Sequence, residues 1–345
     1  DITNSSSGRM EGGSTGFYVN AGTFTGNISN GGTITGGFDG VYLDVGNFQG
    51  NISNSGLIQG GESSGAGVYL TGGTLTGNIS NSGTIIGGVN GFHVSVDTFD
   101  GDFVNDGLIQ GLGGFSDPGY YESAAVHYGD IINNGTLSAL TNALWLQITD
   151  LQGQVTNTGL IEATQSGGTA VLLDNDSATT FNNVSGGRIS GDVFFSGKNA
   201  NTFIGGTGSV EGDMSGFPNG SFLNDDSIII QGGTQTFTSQ SGSGAGSASH
   251  FANFTVNNGG IAVLGSTSVG SSGGNGYNLN DVDHLTINSG GTLYIDNQSS
   301  LNVGAFSPQA GGTLQFLLSQ PLTSDGVPQS QFGTIQTTGD LELKG

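Results

Sequence analysis

Apolar residues recur along this chain in a fixed relation to an asparagine. In each copy an apolar residue precedes the asparagine by two positions, turn residues follow, and a second apolar residue lies six positions after the first, as in Ile28, Asn30 and Ile34. A unit this short cannot bury its own apolar side chains, so the copies must stack on one another. The asparagines of the six regular copies, at steps of 24, 27, 24, 28 and 24 residues, are Asn30, Asn54, Asn81, Asn105, Asn133 and Asn157.

Short runs of alternating apolar and polar residues lie between these copies and predict strands with one buried face. Gly, Asn and Ser occupy the turn positions between the runs. Three short strands and three turns in about 25 residues form one coil of a parallel β-helix. The predicted fold class is therefore all-β, a parallel β-helix of about thirteen coils. We expect the six asparagines to form one column, with side-chain amides bonded along the axis.

Two copies with a longer turn place an arginine immediately before the second apolar residue. Arg9 and Arg188 are two of only four basic residues in the chain, and we expect each guanidinium to cap carbonyl oxygens of the wider turn. Further along the chain the pattern weakens. We assign two of these weaker copies to Ile204/Gly206/Val210 and Phe222/Asn224/Ile228.

Composition limits the classes of partner. Among 345 residues there are 27 acidic and four basic side chains, a formal net charge of −23. Nucleic acids, heparin-like polyanions and anionic lipid surfaces need Lys or Arg to neutralise them, so these partners are disfavoured. No run of apolar residues is long enough for a membrane-spanning helix. The chain has no cysteine and begins without a signal peptide, as expected of a mature or excised fragment.

Repeats of the form G-N-I-S-N-S-G-T-I resemble the passenger domains of type V secreted autotransporters. The segments L-T-I-N-S-G-G-T-L-Y-I-D (285–296), G-G-T-L-Q-F-L-L (311–318) and F-G-T-I-Q-T-T-G-D-L-E-L-K-G (332–345) resemble the end of such a passenger. The resemblance implies a right-handed β-helix on the extracellular surface of a Gram-negative cell, attached to the outer membrane or released. Residues 1–284 would form the passenger repeats and 285–345 a cap resembling an autochaperone. It also implies an outer-membrane β-barrel translocator in the full-length protein, which this chain lacks.

Patterns that indicate catalysis or metal binding are weak. Three G-x-S-x-G segments lack the strand-turn-helix setting and histidine partner of a nucleophile elbow, and the four histidines have no metal-ligand spacing. Two carboxylate pairs, Asp225–Asp226 and Asp281/Asp283, are of the kind that a glycan-cleaving enzyme or a calcium site uses. Solvated turn acids are the simpler interpretation. We therefore predict no catalytic residue, no metal and no cofactor.

A lengthened coil at 111–129 concentrates aromatic residues, which are enriched at recognition surfaces. We predict Phe115, Tyr120, Tyr121 and Tyr128 as contact residues; the alternative is that they only cover the flank of the helix. Tyr277, the one aromatic residue of a Ser/Gly-rich segment, is a further candidate. Trp145, in A-L-W-L-Q-I, is predicted to lie in the core.

These features together predict a non-enzymatic adhesin. It would bind itself on neighbouring cells, giving aggregation and biofilm, or attach to a host glycan or matrix protein. One alternative is a β-helix enzyme that acts on polysaccharide, and another is a passive stalk for a further domain. A cleft with paired carboxylates would favour the enzyme, whereas a ridge of polar and aromatic side chains would favour the adhesin.

Overall fold

The computed structural model describes residues 1–114, 117–196, 199–216, 226–239, 246–265, 276–296 and 299–316, together with the backbone of 334–337. It contains two compact units, Asp1–Thr179 with Ser196–Asn199, and Thr180–Phe195 with Ala200–Gly345. The described residues of both units form β-strands and no helix. Phe115, Asp225, Phe222, Asn224 and, within the predicted autochaperone segment, residues 297–298, 317–333 and 338–345 lie outside the described residues.

The described residues of the first unit form 21 strands, which repeat a three-strand coil. They are β1 (Ile2–Asn4), β2 (Arg9–Gly12), β3 (Phe17–Thr25), β4 (Ile28–Asn30), β5 (Thr33–Gly36), β6 (Val41–Gln49), β7 (Ile52–Asn54), β8 (Leu57–Gln59), β9 (Val68–Thr76), β10 (Ile79–Asn81), β11 (Thr84–Gly87), β12 (Phe92–Asp100), β13 (Phe103–Asn105), β14 (Leu108–Gly111), β15 (Tyr120–Tyr128), β16 (Ile131–Asn133), β17 (Thr136–Ala139), β18 (Leu144–Leu151), β19 (Val155–Asn157), β20 (Leu160–Ala163) and β21 (Thr169–Leu173).

Each strand of the first unit pairs in parallel with the equivalent strand of the next coil. The first strands of the coils pair from β1 to β19, the second strands from β2 to β20, and the third strands from β3 to β21. This pairing confirms the predicted parallel β-helix. Its coils are about 24 residues apart, and the chain forms about 12 turns.

The second unit continues the same architecture with less regular coils. Its strands are β22 (Thr180–Asn183), β23 (Gly187–Ser190), β24 (Asp192–Phe195), β25 (Thr202–Gly205), β26 (Gly208–Glu211), β27 (Met214–Ser215), β28 (Ser227–Ile230), β29 (Gly233–Thr238), β30 (Gly246–Ser249), β31 (Phe251–Val256), β32 (Gly260–Leu264), β33 (Tyr277–Ile287), β34 (Thr292–Ile295), β35 (Ser300–Pro308), β36 (Thr313–Phe316) and β37 (Thr334–Thr337). Strand β33 pairs with both β30 and β31, so it ends one coil and begins the next. Leu285, where the predicted autochaperone segment begins, lies inside β33, and that domain boundary stays a prediction.

The core of the first unit lies inside the coils, because successive side chains of a strand point to opposite faces. In β12 the side chains of Phe92, Val94 and Val96 point inward, whereas His93 and Ser95 point outward. Burying one such aliphatic or aromatic side chain stabilises the fold by about 1.5–3 kcal/mol. The alternation leaves the outward side chains of each long third strand free to form a repeated surface.

The cap predicted for Arg9 is wrong, whereas that predicted for Arg188 stays a prediction. Arg9 does not cap turn carbonyls; its guanidinium is exposed and pairs with Glu11 at 2.9 Å. Arg188 is also mostly exposed and pairs with Glu211 at 3.3 Å. In these copies the residue before the inward second apolar position points outward, which is where a guanidinium finds water and a neighbouring carboxylate.

The weaker copies were assigned in the wrong register. Phe203, rather than Ile204, pairs with Phe181 of the preceding coil. Ile228 then pairs with Phe203, so it belongs to a first strand and not to a second strand. Without an asparagine to mark the register, a shift of one residue exchanges the inward and outward faces.

Candidate functional site

A buried column of asparagines runs along the first unit and is structural. The Nδ2 atom of Asn54 donates to Oδ1 of Asn81 at 2.8 Å, and Asn81 donates in turn to Asn105 at 2.8 Å. The same bond joins the remaining members in chain order, from Asn4 through Asn30 to Asn54 and from Asn105 through Asn133 to Asn157. The amides also donate to turn carbonyls, such as those of Gly83 and Leu108 from Asn81. These groups are already bonded within the stack, so the column is not a ligand site.

A second column of this kind lies on the outside of the coils and was not predicted. Oδ1 of Asn51 accepts the backbone N–H of Asn78, and Oδ1 of Asn78 accepts that of Asp102, at 2.8 and 2.9 Å. Each member follows a glycine, and Gly77 and Gly101 have φ values of +125° and +155°, which L side chains rarely adopt. The recurrent Gly-Asn and Gly-Asp pairs were the available sequence signal.

Six aromatic rings form a continuous column on the outer face of the third strands. Their centroids are 5.3, 5.1, 4.5, 4.7 and 5.2 Å apart in chain order. We call this set the aromatic column: Tyr18, Tyr42, Tyr69, His93, Tyr121 and Trp145. Tyr18 is 54% exposed and the others are partly exposed. The column is therefore available to a partner over six successive coils.

A row of hydrogen-bonding side chains runs beside the aromatic column, two residues further along each third strand. We call it the polar column: Asn20, Asp44, Thr71, Ser95, Ser123 and Gln147. Asn20 donates to Asp44 at 2.7 Å, and the Tyr121 hydroxyl donates to Gln147 at 2.5 Å. Since side chains two apart in a strand share a face, the two columns form one surface.

The structure separates the predicted contact residues. Tyr121 lies in the aromatic column, and Tyr128 is 50% exposed outside it. Tyr120 and Tyr277 were predicted as contact residues, and this is wrong. Both side chains are fully buried in the core and present nothing to a partner. The prediction that Trp145 lies in the core is also wrong, since this side chain lies on the outer face.

Tyr120 belongs to a buried polar cluster inside the coils. Its hydroxyl donates to Oε2 of Glu122 at 2.6 Å, and Nδ1 of His127 lies 2.7 Å from Oε1 of the same carboxylate. Nε2 of His127 lies 2.9 Å from the carbonyl oxygen of Gly101. Burial opposes protonation of His127, but the Glu122 carboxylate and both hydrogen bonds outweigh it and raise the pKa of this histidine above 6.5. The cluster has no access to solvent and therefore cannot serve as an acid–base site for an external substrate.

The pKa of His93, a member of the aromatic column, is shifted in the opposite direction. Partial burial lowers its pKa to about 4, and its Nδ1 lies 2.7 Å from Nδ2 of Asn90. The buried Oδ1 of Asn90 has no hydrogen-bond partner. In an earlier coil Oδ1 of Asp39 accepts the N–H of Ala66, but the residue stacked on Asn90 is Pro118, which has no N–H to donate.

A polar groove lies at the first strands and first turns of the first four coils and reaches the first turn of the fifth. Its volume is about 460 Å³, and its lining includes Ser29, Ser53, Ser55, Ser80 and Ser82, with Asp106 among the lining residues. The Ser53 hydroxyl donates to that of Ser29 at 3.0 Å. The hydroxyl row ends where Val104 pairs with Ser80. The groove contains no pair of carboxylates and no histidine, so it has the chemistry of a hydrogen-bonding surface and not that of a hydrolase cleft.

Of the two predicted carboxylate pairs, the first includes Asp225, which lies outside the described residues, and in the second both Asp281 and Asp283 are exposed in β33. Asp226 is buried and accepts the backbone N–H of Asn201 at 2.7 Å, a structural role. Asp281 pairs with His250 at 2.6 Å. Among the described residues no group of three or more His, Asp or Glu side chains could hold a metal ion, and no helix is long and apolar enough to cross a membrane.

Comparison of the chain with protein-family models, curated proteins and solved structures finds no match. The surface formed by the aromatic and polar columns is therefore assigned on its geometry alone.

Proposed function

We propose that this chain is a non-enzymatic adhesin, and that its first unit attaches to a partner through the aromatic column. The observation that carries the proposal is the continuity of six aromatic rings, from Tyr18 to Trp145, on an outer face. Aromatic side chains supply large contact areas at low entropic cost and are enriched in binding surfaces. A column of six allows many weak contacts to be made at once, so avidity supplies the affinity.

Two features support attachment over catalysis. The buried cluster of Glu122 and His127 is sealed in the core, and the polar groove is lined by hydroxyls, asparagine side chains and a single carboxylate. A glycosidase instead needs two carboxylates that flank a substrate. Attachment is also a better account than a passive stalk, because a spacer has no use for a row of partly exposed aromatic rings, which favour association.

The placement of this adhesin follows from the resemblance to autotransporter passengers. We propose that it acts outside the cell, on a bacterial surface, after export through an outer-membrane β-barrel. Its partner would be another copy of the chain on a neighbouring cell, or a host glycan or matrix protein.

The test is to measure attachment with and without the aromatic column. Beads coated with the purified chain are scored for self-association, for retention of glycans and for binding to matrix proteins. Replacing Tyr18, Tyr42 and Tyr69 with Ser should reduce at least one of these by about tenfold or more. Tyr128→Ser is the matched control, because Tyr128 is 50% exposed, close to the 54% of Tyr18, but lies outside the column. Equal effects of the two changes on every partner would contradict the proposal.

A further inference from the structure

We infer that the aromatic column and the polar column together form a binding site for a neutral, unbranched polysaccharide that lies along the stack of coils. This inference rests on the proposed function, since it names the partner class of the same surface. It also names a role for Thr71, Ser95 and Ser123, which belong to no other feature of the fold.

The chemistry of the two columns suits a sugar chain. A pyranose ring has apolar C–H faces and equatorial hydroxyl groups, so it needs an apolar contact and hydrogen-bonding groups at its edge. Tyr69, His93 and Tyr121 supply the first, and Thr71, Ser95 and Ser123 supply the second. Each hydroxyl side chain can donate and accept, as a sugar hydroxyl also can. Ligand sites of this class combine aromatic walls with a few placed polar groups.

Charge excludes an anionic chain. The protein has a formal net charge of −23, and in the described part of the first unit the only Lys or Arg is Arg9, which pairs with Glu11. A sulfated or carboxylated glycan would find no cation on this surface and would be repelled.

The composition of the polar column argues against a cationic ligand, and charge argues against a second copy of the chain. The carboxylate of Asp44 accepts from Asn20, and that of Asp174, the next residue in line, accepts from Gln147. The members of the polar column between Asp44 and Gln147 are neutral hydroxyls. Another copy would match the coil spacing, but it carries the same −23 and would meet this face with repulsion.

The regular spacing favours a polymer. Successive rings are 4.5–5.3 Å apart, so the surface offers the same pair of contacts once per coil. A chain of repeating sugar units can use these contacts in succession, whereas a single monosaccharide meets one or two. Affinity should therefore rise with the length of the oligosaccharide until the six coils are occupied.

The experiment is calorimetric titration of the full chain with defined probes: neutral linear glucans and mannans of increasing length, polygalacturonate and oligolysine. We expect saturable binding to at least one neutral glycan, tighter for longer chains, and none to polygalacturonate. Tyr42→Ser/Tyr69→Ser and, separately, Thr71→Ala/Ser95→Ala/Ser123→Ala should each weaken binding about tenfold or more. The alanine variant keeps every ring in place, so its loss cannot come from a collapsed column. Tyr128→Ser and Ser53→Ala/Ser80→Ala, in the groove, are controls that should bind normally.

The outcomes separate the two proposals. If neutral glycans do not bind, or if oligolysine or polygalacturonate binds more tightly, the polysaccharide inference is overturned. It is also overturned if the groove variant loses binding and the two column variants retain it. If the Tyr variant instead loses only self-association or matrix binding, the inference fails and the adhesin proposal stands. If the Tyr variant attaches to every partner as well as the wild type does, the proposed attachment surface fails as well.

Discussion

The side chains of Glu122 and His127 form a 2.7 Å ion pair, with both residues at 0% exposure inside the β-helix. Nδ1 of the imidazole faces the carboxylate and Nε2 faces the Gly101 carbonyl oxygen. Both ring nitrogens therefore face acceptors, which suits the doubly protonated ring. Phe99 stacks on the same ring at 4.3 Å. A charged pair in this place is held by its hydrogen bonds and by packing, because desolvation of both charges is costly.

The first prediction concerns the stability of this pair. Replacing His127 alone with Phe leaves the Glu122 carboxylate buried without its counter-charge, and should lower the free energy of unfolding by about 3–5 kcal/mol. The triple change Tyr120→Phe/Glu122→Leu/His127→Phe removes every member of the cluster and should recover most of that loss. Urea unfolding measures both variants. A triple variant as unstable as the single one would show that the pair itself stabilises the fold.

The second prediction concerns pH, where His127 and His93 act in opposite directions. The folded-state pKa of His127 is raised, so its contribution is fully present below pH 6.5 and is lost as pH rises through the folded value. The folded-state pKa of His93 is lowered to about 4, so stability is lost as pH falls from about 6.5 towards 4. Between pH 7.5 and 4.5, His93→Phe should lose about 1–3 kcal/mol less than the wild type. Parallel losses in thermal unfolding would contradict the assigned environment of His93.

The third prediction concerns the asparagine column. Asn81→Ala removes the bonds to Asn54 and Asn105, so the buried Oδ1 of Asn105 loses the donor that the column supplies to it. We expect a loss of about 2–4 kcal/mol in chemical denaturation. Thr76→Ala, at an exposed position at the end of the preceding coil, should change stability by less than about 0.5 kcal/mol. Similar losses at the two positions would mean that the column contributes little.

The fourth prediction concerns the segment that resembles an autochaperone. Deleting residues 285–345 should slow refolding of the remaining chain more than deleting a similar length from the other end. Stacked repeats can begin to fold at one end and propagate, so the end that nucleates has the larger effect on the rate. Stopped-flow refolding compares the two truncations. Refolding rates that are the same for both would count against the resemblance.

The fold was predictable because one residue marks the register. The asparagines recur at steps of 24, 27, 24, 28 and 24, and each must meet the next one because a buried amide needs a partner. Where asparagine is lost, as at Gly205 opposite Asn183, the register could not be read from the sequence and the assignment slipped by one residue.

The aromatic column was predictable in principle and was missed. Its members follow the same steps of 24, 27, 24, 28 and 24 residues as the asparagines. The series is hard to recognise because only two members share a local sequence, V-Y-L, and a histidine and a tryptophan replace tyrosine at two positions. Tyr120 was chosen beside Tyr121 because local clustering does not reveal which neighbour points inward. Glu122 was beyond prediction, since its burial depends on His127, five residues away, and on Tyr120.

Trp145 gives the most direct test of the central claim, that the aromatic column is the attachment surface. It is the only tryptophan of the chain and the last ring of the column. Titration with a partner retained by the wild-type chain should shift Trp145 emission with the same midpoint as binding, and the bound partner should protect Trp145 from oxidation by N-bromosuccinimide. Saturating binding that leaves both the emission and the oxidation rate of Trp145 unchanged would contradict the account.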